Sequence, residues 1–323
     1  MSTTTEESLV AGLPAELPPL MFILGAHRSG TTFLHQVLAD TGHYSFVQPY
    51  DLIHFDRLLK FDGDGSTAAE RARLDGELRS GQPNRGLDDL AIGASVAEEY
   101  GHLLPKQGQF SFFTPSLTEA SRPRFELLCR KKRALDGARP LILKNPDDFY
   151  TNFMQLHAWY PRARVVFLHR HPLAVLNSKV RAWTRLLEEP NVYFSRLHSY
   201  YRHLLESPKE LSFLRQLLGS KAGPLGQMDK LIAAYNYYLE NVKRLPRDCF
   251  MFLRYEDLCA DPDGHLAAIS QFLGQPAPER SLQAEINTRP LRLLPNVAAA
   301  YEAKWEGLTP YLTEFGYERE PIF

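Results

Sequence analysis

The stretch Leu20-Met21-Phe22-Ile23-Leu24-Gly25-Ala26-His27-Arg28-Ser29-Gly30-Thr31-Thr32-Phe33-Leu34-His35-Gln36-Val37-Leu38 decides the fold. Its first five residues are continuously apolar, the pattern of a strand buried on both faces, as in a parallel sheet covered by helices. From Thr31 onward, Phe33, Leu34, Val37 and Leu38 recur at helical spacing. Between strand and helix lie two glycines, an arginine and three hydroxyl side chains. Glycines allow a tight turn whose N–H groups point into one concavity, and a helix N-terminus favours negative charge. Gly25, Arg28, Ser29, Gly30, Thr31 and Thr32 are therefore candidate phosphate-binding residues, with an ordinary strand-to-helix turn as the alternative.

Three later apolar runs follow the same plan: Leu141 to Leu143, Val165 to Leu168 and Phe250 to Leu253. Each ends in polar residues, namely Lys144-Asn145-Pro146, His169-Arg170-His171-Pro172 and Arg254-Tyr255-Glu256-Asp257. Ligands of open parallel sheets bind beyond the carboxyl ends of the strands, so these segments are expected to converge on one crevice. The expected fold is α/β, a P-loop-like parallel sheet flanked by helices, forming a single domain over 19–323. Helices are expected after Pro172, over Leu231 to Leu245, and over His265 to Leu273 with Asp263 as a cap and Gly274 past the end. Residues 1–18 read as a flexible polar tail, and 62–86 and 207–226 as irregular loop inserts.

The phosphorylated ligand is narrowed by what is missing. A Walker A loop carries Gly-Lys-Thr or Gly-Lys-Ser where this chain has Gly30-Thr31-Thr32. No strand ends in the aspartate that would hold magnesium, and Val165 to Leu168 leads instead into His169 and Arg170. Cations rather than carboxylates line the strand ends, so no metal is expected. Arg170 can fork onto a phosphate and Ser178, on the following helix, can donate a further hydrogen bond; an unrelated surface pair is the alternative.

These motifs together resemble the sulfotransferase family that uses 3'-phosphoadenosine-5'-phosphosulfate (PAPS), in the branch with Arg-Ser-Gly-Thr-Thr loops that includes protein-tyrosine and many bacterial enzymes. The resemblance runs in pieces from residue 20 to about 305. It implies that Gly25 to Thr32 holds the 5'-phosphosulfate and that Arg170 with Ser178 holds the 3'-phosphate. Leu143-Lys144-Asn145-Pro146 is similar to the family's Lys-x-Pro segment, whose lysine supports the transferring group. Arg254-Tyr255-Glu256-Asp257 resembles a segment whose tyrosine, here Tyr255, lies near the nucleotide. Ala303-Lys304-Trp305 is similar, more weakly, to a closing C-terminal element, which places Lys304 at the donor. His171 departs from the Asp, Asn or Gly usual after the arginine, and no glutamate follows the first helix in Val47-Gln48-Pro49-Tyr50-Asp51.

The resemblance implies transfer of a sulfuryl group to a hydroxyl acceptor, with small alcohols and phenols favoured, releasing 3',5'-adenosine bisphosphate. Lys144 and Arg28 are the candidates for stabilising transferred charge. A general base is sought after the first helix, where Asp51 or His54 could serve, with His102 as a further candidate. For Asp51 and His54 an ordinary solvated position is an equal alternative. Phe110-Ser111-Phe112-Phe113, Tyr193-Phe194 and Tyr200-Tyr201 could line an acceptor pocket or simply pack. The basic run Arg130-Lys131-Lys132-Arg133 could meet an acidic acceptor or form a solvated helix face. Two rivals stand beside the transferase: a P-loop kinase or NTPase, and a nucleotide-binding protein without catalysis.

Composition sets the frame. At 323 residues, 44% hydrophobic and 23% charged, the chain has the make-up of a globular protein, and its net charge of -1 supplies no global attraction to nucleic acid polymers or anionic membranes. No apolar run approaches the roughly 20 residues of a membrane helix. Cys129, Cys249 and Cys259 lack CxxC spacing, which fits neither a disulfide framework nor a zinc cluster and points to the cytoplasm. A homo-oligomer is compatible with all of this.

Overall fold

Five parallel strands carry the molecule: β1 (Leu20–Leu24), β2 (Ser45–Phe46), β3 (Leu141–Lys144), β4 (Arg164–His169) and β5 (Phe250–Arg254), in the order β2-β3-β1-β4-β5. The computed structural model describes residues 5–80, 84–87, 90–104, 117–279, 281 and 291–320. The four strands expected from apolar runs are all present, three of them extended by a residue or two. β2 was not legible, because two residues make no pattern.

β1 shows why continuous apolarity predicts a covered sheet. All five of its side chains are buried, and they alternate between two cores. Phe22 and Leu24 join the larger core, with Phe125, Phe149 and Phe167. Met21 and Ile23 point the other way, to Leu34, Leu38 and Ile269. Helices on both faces complete a single α/β domain.

β1 lies between β3 and β4, with Ile23 paired to Lys144 on one side and to Val166 on the other. The chain leaves β1 toward β3 and β2 and later crosses to β4 and β5, so the strand order reverses beside β1. That is where the carboxyl ends of an open sheet leave a crevice.

The three expected helices form as Pro172–Glu188, Ala222–Asn241 and Pro262–Leu273. The last is capped by Asp261 rather than Asp263, through a 3.0 Å bond from the Gly264 N–H, and ends at Gly274 as expected. Three segments are more regular than their composition suggests. The supposed tail contains a helix, Glu6–Ala11, docked through Glu6 to Lys131 at 2.6 Å and to the Lys60 N–H at 2.8 Å. The insert at 62–86 contains the helix Thr67–Arg79, which buries Leu74 and Leu78. The insert at 207–226 contains the helix Pro208–Gly219 and the first turn of Ala222–Asn241.

Candidate functional site

β1 ends at Gly25, and the chain turns through Ala26 to Gly30 into the helix Thr31–Asp40. Arg28 holds φ at 76°, the single non-glycine left-handed residue among those described. Such strain persists only where surrounding structure over-determines it. Gly30 has φ 98°, and a Cβ there would lie 2.3 Å from the Tyr255 ring, so the aromatic packs directly on the loop backbone. No side chain caps the helix that follows, which leaves its first N–H groups for a ligand. The hydroxyl of Ser29 is buried with no hydrogen-bond partner, an orphan that an anionic oxygen would satisfy.

A second set of polar groups closes on this loop from β4 and the helix after it. Arg170 donates from Nη1 to the Arg28 carbonyl at 3.1 Å, and its guanidinium lies 4.4 Å from the centre of the Tyr255 ring. Arg28 Nε donates to Ser178 Oγ at 3.1 Å and its Nη2 to the Leu87 carbonyl at 3.2 Å. Residues expected from three separate motifs, Arg28, the pair Arg170 and Ser178, and Tyr255, thus form one cluster. Burial pushes the Tyr255 hydroxyl up to about 12, so the ring stays neutral under the arginine. His171 takes the N-cap position of the helix Pro172–Glu188, accepting from the Leu173 N–H at 3.2 Å. A histidine therefore does there what the usual Asp or Asn would do.

On the opposite side, β3 ends at Lys144, which is 1% exposed. Its ammonium donates to Thr32 Oγ1 at 2.8 Å and to Glu99 Oε1 at 2.6 Å. Burial opposes ionisation of Glu99, but the Lys144 ammonium outweighs it and, with His102, holds the carboxyl down to about 2. Glu99 reaches Lys144 because the 3-10 turn Tyr100–Leu103 sits directly on β3's exit. A Cβ on Gly101 would lie 2.5 Å from the Asn145 amide oxygen, an approach that glycine alone permits. Sequence reading did not find Glu99: nothing in the spacing of Ala97-Glu98-Glu99-Tyr100 ties it to a strand end.

Glu98 faces the other way and is buried. It accepts from the Tyr193 hydroxyl and, at 2.9 Å, from the Glu99 N–H, with Arg85 at 3.8 Å and His102 at 3.7 Å. Burial opposes its charge, yet Arg85 and His102 keep it well below the usual carboxylate range. His27 Nε2 lies 2.8 Å from Asp147 Oδ1, and the His27 N–H donates to the Tyr150 hydroxyl at 3.3 Å.

One cavity starts at His27, Arg28, Thr31 and Thr32 and passes Glu99, His102 and Asp147; Lys144 and Arg170 stand behind its lining, reaching it through Glu99 and Thr32 and through the Arg28 carbonyl. Its far wall is largely apolar: Leu87, Ala182, Trp183, Leu186, Phe194 and Tyr201. Two of the aromatics expected at an acceptor pocket, Phe194 and Tyr201, are thus on the wall, while Tyr193 supports Glu98. The run Phe110 to Phe113 lies outside the described residues.

Of the three base candidates from the sequence, His102 lines the cavity, whereas Asp51 and His54 lie away from it. Asp51 is fully buried, accepts from the Gln48 N–H at 2.9 Å as a helix cap, and pairs with Lys132 at 2.9 Å. His54 packs between the rings of Tyr50 and Phe61, at 5.0 and 5.4 Å, and burial lowers its affinity for a proton. Neither lines the cavity, because the helix Pro49–Ile53 turns its carboxylate toward the helix Arg122–Asp136. The basic run is displaced likewise: Lys131 and Lys132 are buried in ion pairs with Glu6 and with Asp51 and Asp136, so they form neither a solvated face nor a recognition patch. Lys304 lies at the end of the helix Pro295–Lys304, half exposed and paired with Asp229 at 2.9 Å, apart from the cavity lining. Among the described residues no three His, Cys, Asp or Glu side chains group as metal ligands, and no helix is long and apolar enough to cross a membrane.

No curated protein sequence matches the chain. Its structure is similar to that of sulfotransferase STF9 from Mycobacterium avium, with a TM-score of 0.57 at 18% identity over 96% of this chain and 79% of that one. Sulfotransferase STF1 from Mycobacterium tuberculosis H37Rv gives 0.52 at 18% identity, over 94% and 75% of the two chains. At such identities the likeness is one of fold. A model of the sulfotransferase family matches residues 19–210, which span the loop, β3, β4 and the helix carrying Ser178. The chain is accordingly a member of the sulfotransferase family, an enzyme that transfers sulfuryl groups.

Proposed function

We propose that the enzyme takes its sulfuryl group from PAPS and delivers it to the hydroxyl of an alcohol or phenol with an apolar body. The observation that carries this reading is the junction of Arg28, Ser178 and Arg170, with both hydrogen bonds at 3.1 Å. A donor with two separate anionic groups calls for a cation beyond the phosphate loop; Arg170, at the end of another strand, supplies it, and Ser178, on the helix that follows, adds a hydroxyl donor. The loop N–H groups and Ser29 Oγ hold the 5'-phosphosulfate. Arg170, Ser178 and Arg28 take the 3'-phosphate, with Tyr255 packed against them.

Transfer forms a bond between acceptor oxygen and sulfur and breaks the bond from sulfur to the 5'-phosphate oxygen. Catalysis of such a step is mainly positioning and charge stabilisation. Lys144 neutralises the sulfonate and the leaving oxygen, and Glu99, in place of Asp51 or His54, accepts the acceptor's proton. The apolar wall from Leu87 to Tyr201 orients the acceptor and keeps water from the sulfonate. The three free cysteines suit a reducing cytoplasm.

Calorimetric titration with 3',5'-adenosine bisphosphate, beside ATP with and without Mg²⁺, tests the donor. Magnesium-independent binding of the bisphosphate is expected, and a preference for ATP with Mg²⁺ would return the kinase reading. Turnover is then measured with PAPS and a panel of phenols, where Lys144→Ala is expected to lower kcat by about 10²–10³ with little change in donor affinity.

A further inference from the structure

Glu99 and the donor site share one ammonium. Lys144 Nζ sits 2.6 Å from Glu99 Oε1 and 2.8 Å from Thr32 Oγ1, the last hydroxyl of the phosphate loop. Resting on the donor reading above, we propose that Lys144 is a gate on the base: it masks Glu99 until the donor's sulfonate draws the ammonium away. Glu99 then gains the basicity needed to take a proton from the acceptor.

The surroundings make the exchange one-directional. Besides Lys144, the charged and titratable groups facing Glu99 are His102, Glu98 and His27. His102 lies 3.7 Å from the Glu98 carboxylate and His27 is held by Asp147, so neither replaces the departed ammonium, and Glu98, itself an anion, adds to the effect. Lys144 emerges from the end of a buried strand and is itself buried, with its ammonium held between Glu99 and Thr32 at the loop. An anion on the loop competes for the ammonium with the carboxylate and adds negative charge beside it. Both effects raise the carboxyl's proton affinity; loss of a close opposite charge is typically worth about 1–3 pKa units. Without donor, Glu99 is held at about 2 and is a feeble base, so no acceptor is deprotonated before PAPS is in place.

The consequence is a proton balance that needs no turnover to observe. PAPS is titrated into the whole enzyme without acceptor, at pH 5, in buffers of unlike ionisation enthalpy. Wild type is expected to take up a fraction of a proton, roughly 0.1–0.5, that Glu99→Gln does not. The variant is the reference because the donor's own phosphates also exchange protons. Equal proton uptake by both proteins, with PAPS bound by each, overturns the gate while leaving the donor assignment intact. Absence of PAPS binding to wild type overturns both. If Glu99→Gln does not fold, wild type decides alone by infrared difference spectroscopy at pH 5: addition of PAPS must bring up the C=O band of a newly protonated carboxyl, to which nucleotide phosphates do not contribute. Binding of PAPS without that band sinks the proposal.

Discussion

Replacing Arg170 with alanine is the sharpest test of the anion-binding cluster. This guanidinium donates to the Arg28 carbonyl at 3.1 Å and covers the Tyr255 ring at 4.4 Å. Its Nε is buried with no hydrogen-bond partner. Two charge-assisted bonds to a phosphate, at about 1.5–3 kcal/mol each, amount to roughly 3–6 kcal/mol. Arg170 is partly exposed, so solvent screening reduces this toward the lower end. At 1.4 kcal/mol per decade the expected loss of affinity for 3',5'-adenosine bisphosphate is about a hundredfold. Calorimetry at two salt concentrations reads it, with Tm recorded in parallel to show that the loop is intact. Arg170→Lys is expected to recover only part of the loss, since an ammonium cannot fork onto two oxygens. A folded Arg170→Ala protein that binds the bisphosphate within about threefold of wild type would refute the assignment.

Other residues give separable expectations. Gly30→Ala forces a Cβ to 2.3 Å from the Tyr255 ring at φ 98°, so a loss of about 2–4 kcal/mol in stability and weakened nucleotide binding are expected; unchanged Tm and affinity contradict the loop geometry. Asp51→Ala leaves buried Lys132 with Asp136 alone, at 2.8 Å, and is expected to cost about 3 kcal/mol in urea denaturation without altering kcat of the folded enzyme. A large fall in kcat with unchanged stability would restore Asp51 as a base. Acid sensitivity should arise from His35 and His169, both held down to about 3, chiefly by burial. The unfolded chain protonates them near pH 6.5 and the native one does not, so stability declines as pH falls from 6.5 toward 3 and levels off above that window. His169→Gln is expected to make the decline shallower, measured as urea midpoints from pH 4 to 7; an unaltered slope excludes its contribution.

Much of the fold is legible in the sequence because a parallel sheet covered on both faces leaves an unmistakable trace. Leu20 to Leu24 cannot be an exposed strand, and its glycine-bounded exit into an apolar-periodic helix marks the loop. The cluster proposed to bind the donor's phosphate is legible for a related reason. Arg28, Lys144, Arg170 and Tyr255 lie in the loop or at strand ends, and an open sheet gathers those ends at one edge. The Gly, Pro, Asp and Ser content misleads at 62–86 and 207–226; in the first, burial of Leu74 and Leu78 stabilises a helix that propensity alone would not.

The partner of Lys144 was decided by tertiary structure alone. Asp51 is on a five-residue helix and Glu99 precedes a 3-10 turn, with nothing in local sequence to rank them. One is drawn into an ion pair with Lys132, and the other is set on Lys144 by the contact of Gly101 with Asn145. Local sequence determines which residues end a strand or open a helix, because backbone preferences and apolar periodicity are short-ranged. Which of two carboxylates meets a buried ammonium depends on how segments distant in the chain pack, and that is settled only when the core closes around them.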